Sequence, residues 1–205
     1  VATEPYVFGV KAYCDRALEL YADDAYASFR TLIVDLLRYG AKAQLYTGYK
    51  TASLADRELT AQQLAWGTQG DPVLTNHFVY ELETVENPTV TWMGAGLVLD
   101  SAVTLKLKFA AESVEGLQVR IAIEKGDTVL IDSSYFTYDA AEQLYVLHVN
   151  GLNADQMSRK LVLTVLDADG KAVSNTAQYS IESYAYEKQN STVPGLADLV
   201  KAMMH

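Results

Sequence analysis

The sequence is expected to fold as an α+β chain: a helical hairpin, an antiparallel immunoglobulin-like β-sandwich, then a second, partial helical hairpin. Three patterns predict it. Apolar residues recur at helical spacing through residues 10–41, alternate with period two through the middle of the chain, and return to helical spacing after residue 180. The expected organisation is residues 1–65 helical hairpin, 66–88 linker or extended segment, 89–178 sandwich, and 179–205 a truncated second copy of the hairpin.

Val10, Tyr13, Cys14, Ala17, Leu18 and Tyr21 form the stripe of the first helix. Asp23 and Asp24 supply turn and cap. Phe29, Leu32, Ile33, Leu36, Leu37, Gly40 and Ala41 carry the stripe of a second helix, and the short connection makes the pair antiparallel. "YTGYKT" then ends the helix at a glycine. "TASLADRELTAQQLAWG" holds a short helix, and "PVLTNHFVYELETVENP" an extended segment that joins the sheet.

In "VTLKLKFA", Val103, Leu105, Leu107 and Phe109 face one way, while Thr104, Lys106 and Lys108 face the other. "GLQVRIAIE", "TVLID", "QLYVLHV" and "KLVLTVLDADGKAV" continue the series, with Asp169-Gly170 as a hairpin signal. "NADQM" (153–157) is expected to make one helical turn between the sheets. In the tail, Ile181, Tyr184, Ala185 and Lys188 repeat the spacing of Val10, Tyr13, Cys14 and Ala17. Leu196, Leu199, Val200, Met203 and Met204 repeat that of Phe29, Leu32, Ile33, Leu36 and Leu37. Two stripes matched in order indicate an internal repeat. Helices this short need cover, and the expected seat for the tail is the chain's own sandwich.

The 205 residues carry a net charge of −10, and residues 1–88 and 89–205 hold −5 each. With no basic face, nucleic acid and anionic membrane are poor partners. No apolar run approaches the roughly 20 residues of a membrane span, and "VATEPYVFGVK" lacks the basic and apolar regions of a signal peptide. A single cysteine, Cys14, excludes an intrachain disulfide and leaves the redox compartment open.

Reaction chemistry is not visible. Cys14 lies on an apolar stripe, as a small buried hydrophobe does, so pairing with His77 or His148 as nucleophile and base has little support. His77, His148 and His205 are scattered without zinc-ligand spacing. "DADGK" (167–171) is better read as a hairpin turn than as a calcium loop, since Val165 stands where an oxygen ligand would be needed. Glu81, Glu83 and Glu86 are read as a solvated face rather than a glycosidase pair. No nucleophile elbow, phosphate loop or dinucleotide fingerprint occurs. Fourteen tyrosines remain, with Trp66 and Trp92. Their rings join an apolar body to a polar tip, which suits sugars. Tyr46 and Tyr49 around the glycine turn, with Trp66, are the candidate ligand-binding residues. No catalytic residue, metal ligand or cofactor is expected.

"LLRYGAKAQLYTGYKTASLAD" (36–56), "MGAGLVLDSAVTLKLKF" (93–109) and the closing "YSIESYAYEKQ…LADLVKAMMH" together resemble a repeat module of large secreted and cell-surface proteins of anaerobic gut bacteria. In those proteins such modules accompany dockerin, anchoring or carbohydrate-active regions. The resemblance implies an extracellular or surface location, no established catalytic residues, and neighbouring modules, a glycan or another surface protein as partners. The expected role is a non-catalytic structural or interaction module, with carbohydrate binding through exposed tyrosines as the alternative.

Overall fold

A computed structural model describes residues 9–99, 103–150 and 157–205. The expected turn at 153–156 lies outside them; Met157 sits in a turn. The fold is mixed α+β, and the chain divides into two compact units. Residues 1–73 and 188–205 make one, and residues 74–187 make the other.

The first unit is helical. Helix α1 (Val10–Leu20) and helix α2 (Ala27–Thr47) are joined by a 3-10 turn in which the Asp23 carboxylate accepts from Ala25 N–H. Cys14, Ala17 and Leu18 meet Ile33, Val34 and Leu37 in one apolar cluster, with Phe29, Ala55, Leu59 and Trp66 packed at its edge. Helix α2 stops at Gly48, which takes a left-handed φ of 70°. The Gln44 amide then shapes the following turn, donating to Ser53 O and accepting from Ala55 N–H at 2.8 Å. Helix α3 (Ala61–Trp66) starts from a reciprocal cap between Thr60 and Gln63.

The last element of this unit comes from the other end of the chain. Helix α5 (Leu196–Met203) packs along α2, burying Leu196, Leu199, Val200 and Met203. Gly195 permits the approach: a Cβ there would lie 3.2 Å from Tyr46 Cα, and its φ of 77° is left-handed. Lys42 and Asp198 pair at 2.9 Å beside the contact.

The second unit holds two antiparallel sheets. One runs β1 (Val79–Glu83), β9 (Thr176–Tyr179), β8 (Leu161–Leu166), β4 (Gln118–Ile123), β5 (Thr128–Asp132). The other runs β2 (Val90–Leu99), β3 (Val103–Ala111), β7 (Leu144–Val149), β6 (Phe136–Asp139). Alternation works as read: Leu105, Leu107 and Phe109 are buried on β3, as are Val119 and Ile121 on β4. Phe109 is the aromatic centre, with Trp92 and Phe136 edge-on at 5.7 and 5.3 Å. The two sheets are tied where β2 begins: Thr89 and Val90 N–H both donate to Val173 O, and Trp92 Nε1 donates to Asn175 O.

Helix α4 (Ile181–Lys188) follows β9 directly, Ser180 and Ser183 capping each other. Its Glu182 carboxylate is buried and holds the strand-less segment before β1. It accepts from Thr75 N–H at 2.8 Å, Asn76 N–H at 3.1 Å and Asn76 Nδ2 at 2.7 Å.

The structure departs from the sequence reading in three places. The unit boundary falls after Val73, not at 65 or 88, because Thr68 bonds to α2 and Asp71 to Lys201 of α5, while Thr75 and Asn76 bond to Glu182. The tail does not dock as one piece on the sandwich: α4 belongs to the β unit and α5 to the helical unit. Val10, Tyr13, Leu32 and Leu36, read as core stripe, are exposed.

Two substitutions test these seats. Val200→Asp buries a charge against α2 and is expected to cost about 3 kcal/mol or more. Glu182→Ala removes the shared acceptor of three N–H groups and is expected to cost about 1–2 kcal/mol. Urea unfolding of both variants measures this, and an unchanged midpoint in either refutes the corresponding contact.

Candidate functional site

The polar groups of the helical unit converge on α2. Asp35, buried, accepts from Thr68 N–H at 2.9 Å and from Thr68 Oγ1 at 2.6 Å. Arg38, one turn on, donates to Thr68 O and Leu64 O at 2.7 and 2.8 Å, and its guanidinium lies 3.6 Å from Asp35. Thr31 Oγ1 donates to Trp66 O at 2.7 Å. Thr31, Asp35 and Arg38 recur at helical spacing, so one stripe of α2 grips the end of α3 and the chain after it. Gly67 lies in that grip. A Cβ there would fall within 2.8 Å of Arg38 Nη1, Val34 Cγ1 and Asp35 Oδ1.

Beyond the grip lies a cleft of about 400 Å³, walled by Asp35, Arg38, Lys42, Asp71, Asp198 and Lys201. Its two lysines are each paired with a carboxylate of the wall, and Asp56 lines it as well. Lys42 pairs with Asp198 at 2.9 Å, and Lys201 with Asp71 at 2.6 Å. The pairs tie α5 to α2 and to the chain after α3.

The three aromatic candidates are not brought together. Trp66 is half-buried against the apolar cluster, and the Arg30 guanidinium lies 4.5 Å from its ring centroid. Arg30 also reaches Ala22 O and Asp24, leaving its buried Nε without a partner. Tyr46 is half-buried, with its backbone under Gly195, while Tyr49 is exposed beneath the Lys50 ammonium. Thr31, bonded to Trp66, and Tyr46 are 15 residues apart on α2, about 22 Å along the axis. One sugar ring cannot span them.

A tighter aromatic group, unmarked in the sequence reading, sits at the α1–α2 turn. Tyr21 meets Tyr26 edge-on at 4.9 Å and Phe29 at 5.4 Å, beside Asp23 and Asp24, and both tyrosines are exposed. The spacing of 21, 26 and 29 follows neither helix nor strand period, because a 3-10 turn intervenes.

Other residues singled out in the sequence lie apart. Cys14 is fully buried, and burial, reinforced by Asp15, pushes its thiol up, against the thiolate. His77 tilts against Tyr186, and His148 is exposed on β7 opposite Lys106. Asp167 accepts from Asp169 and Lys171 N–H, closing a hairpin turn. Glu81 accepts from Asn175 Nδ2. Among the described residues no three His, Cys, Asp or Glu side chains are grouped to hold a metal, and no helix is long and apolar enough to cross a membrane.

No family model, curated protein or solved structure matches this chain.

Cys14 is expected to react slowly with thiol reagents in the native protein and rapidly in denaturant; native labelling as fast as that of a free thiol refutes its burial. Gly67→Ala is expected to destabilise the helical unit by about 1–3 kcal/mol through overpacking. Thermal melting checks it, and a wild-type curve would mean that the grip yields.

Proposed function

We propose that this chain is a non-catalytic structural or interaction module of a secreted, surface-associated protein, with neighbouring modules of that protein as its partners. The observation that carries the reading is the use made of converging polar groups. Asp35, Arg38 and Glu182 each bind backbone of their own unit, and the cleft cations bind cleft carboxylates. A catalytic centre instead aims its polar groups at a reacting atom. The strand order supports a further point. Lettered in sequence from β2, the sheets run A-B-E-D and G-F-C-C′ with β1 added beside G, an order that supports reading the unit as an immunoglobulin-like sandwich. Sandwiches of this kind serve widely as modules of cell-surface proteins.

Carbohydrate binding is the second reading, and Tyr21 and Tyr26 favour it. Their rings fix each other and stand exposed, and the Asp24 side chain is fully exposed to accept sugar hydroxyls. Tyr49 adds a separate exposed ring.

Glycan-array binding discriminates the two. The structural reading expects no reproducible binding at micromolar protein. Binding lost in Tyr26→Ala, with unchanged melting, would replace it with the second reading. Turnover of any glycoside or ester substrate would overturn both.

A further inference from the structure

Among the described residues the two sheets have four edge strands; three are guarded against further pairing and one is not. β5 and β6 are five and four residues long and end on Asp132 and Asp139. β1, of five residues, carries Glu81 and Glu83. Shortness and charge are the usual means of blunting an edge. β2 runs for ten residues, VTWMGAGLVL, without a charge or a proline. A bulge at Met93 interrupts its start, but from Gly94 to Val98 its register against β3 is regular. Met93 and Val98 are 51% and 39% exposed.

Which groups β2 presents follows from its first bond. Val90 N–H points away from β3, to Val173 O, so the Val90–Ala111 pair exchanges no ladder bond. Alternation along β3 then makes Lys108–Gly94 and Lys106–Gly96 bonded pairs. Ala95 and Leu97 therefore turn N–H and C=O outward, to a side where no described strand lies. A strand added there would bond through residues facing Ala95 and Leu97, with their side chains on the inner face. Its alternate residues would lie beside Gly96 on the outer face. A Cβ at Gly96 meets nothing within 4 Å, so that position is an open floor, and the side chain across it is Lys106. Two strand spacings make about 10 Å, which a carboxylate side chain and a lysine span together.

We propose that the Gly94–Val98 edge of β2 takes up an extended acidic peptide of a partner protein as an added strand, held by the outward groups of Ala95 and Leu97 and by Lys106. The charge of this face selects the occupant. β2, β3 and β7 contain no Asp or Glu, in a chain that has 26. Lys108 is paired with Glu142, whereas Lys106 has no ion pair among the described residues and stands beside the exposed His148. So small a face does not show in the net charge of either half of the sequence. A second copy is a poorer occupant, since its β2 would bring no carboxylate to meet Lys106. The proposal names a contact surface for the interaction module above and rests on that reading for a polypeptide partner.

Fluorescence anisotropy with the whole chain and capped, labelled heptapeptides tests it. A peptide alternating valine and glutamate is expected to bind saturably at micromolar concentration. The same peptide with lysine for glutamate should bind about tenfold more weakly or worse, against the direction that a net charge of −10 favours. Proline in place of each valine removes the N–H groups that would reach β2, and binding should be lost. Lys106→Glu should keep the wild-type melting curve and transfer the preference to the lysine peptide. No binding of the first peptide, equal binding of the valine and proline peptides, or an unchanged preference in Lys106→Glu would overturn the proposal. So would dimerisation of the chain in sedimentation with no peptide bound, which would make a second copy the occupant. A positive glycan array or a measured turnover would refute the module reading and leave these peptide results unmoved, so the two failures are told apart.

Discussion

Helix α2 is the member on which the helical unit depends, because every other helix of that unit packs against it. Its faces are chemically distinct. Ile33 and Leu37 take α1 into a dry cluster. Thr31, Asp35 and Arg38 hold backbone groups of the chain around Gly67. The stretch around Ala41, Lys42 and Tyr46 takes α5. The first contact is area-driven and tolerant of side-chain identity. The second is directional, and leaves no room for a Cβ at residue 67. Because α5 completes the unit from residues 196–203, the helical unit cannot close until the whole β unit has been traversed. Contacts of such sequence separation form late and slowly.

The β unit solves a related difficulty with a buried charge. Among the described residues Glu182 has backbone and amide donors for partners, so its desolvation is offset by hydrogen bonds to Thr75 and Asn76. A carboxylate held by several N–H groups fixes the position of the segment entering β1 more narrowly than an apolar contact would. Tyr179 shows the opposite case. Its hydroxyl is buried without a partner, and burial pushes the phenol up, so its ring packing against Phe78 must outweigh the stranded polar tip.

Much of this architecture was legible in the sequence. The 3.6-residue and two-residue periods place α1, α2, β3, β4, β7 and β8, and glycine marks the end of α2 at residue 48. The site was less legible, for a physical reason. Trp66 reads as a large aromatic in a polar setting, hence a stacking candidate. Its ring is claimed by Arg30, 36 positions earlier, and its carbonyl by Thr31. No local period encodes a contact across that separation. Asp35 and Arg38 drew no reading at all, since a polar stripe on a helix is the same in sequence whether it meets water or backbone. The Gly67-Thr68 pair was the available signal: a glycine directly after a short capped helix marks close approach of some other element.

The exposed stripe follows from the same limit. Periodicity states which residues share a face; it does not state what covers them. Val10 and Ile181 are equivalent by pattern, yet one stands open and the other is sealed. Stripe residues buried only in a larger assembly carry the same code as core residues, so sequence reading assigns them to the core of the single chain. Leaving a side chain such as Val10 largely in water forgoes on the order of 1.5–3 kcal/mol relative to full burial. The single chain forgoes that stabilisation while still closing its own core around Val34, Leu37 and Val200. Its stability therefore rests on the residues that packing covers, not on every residue that shares their period.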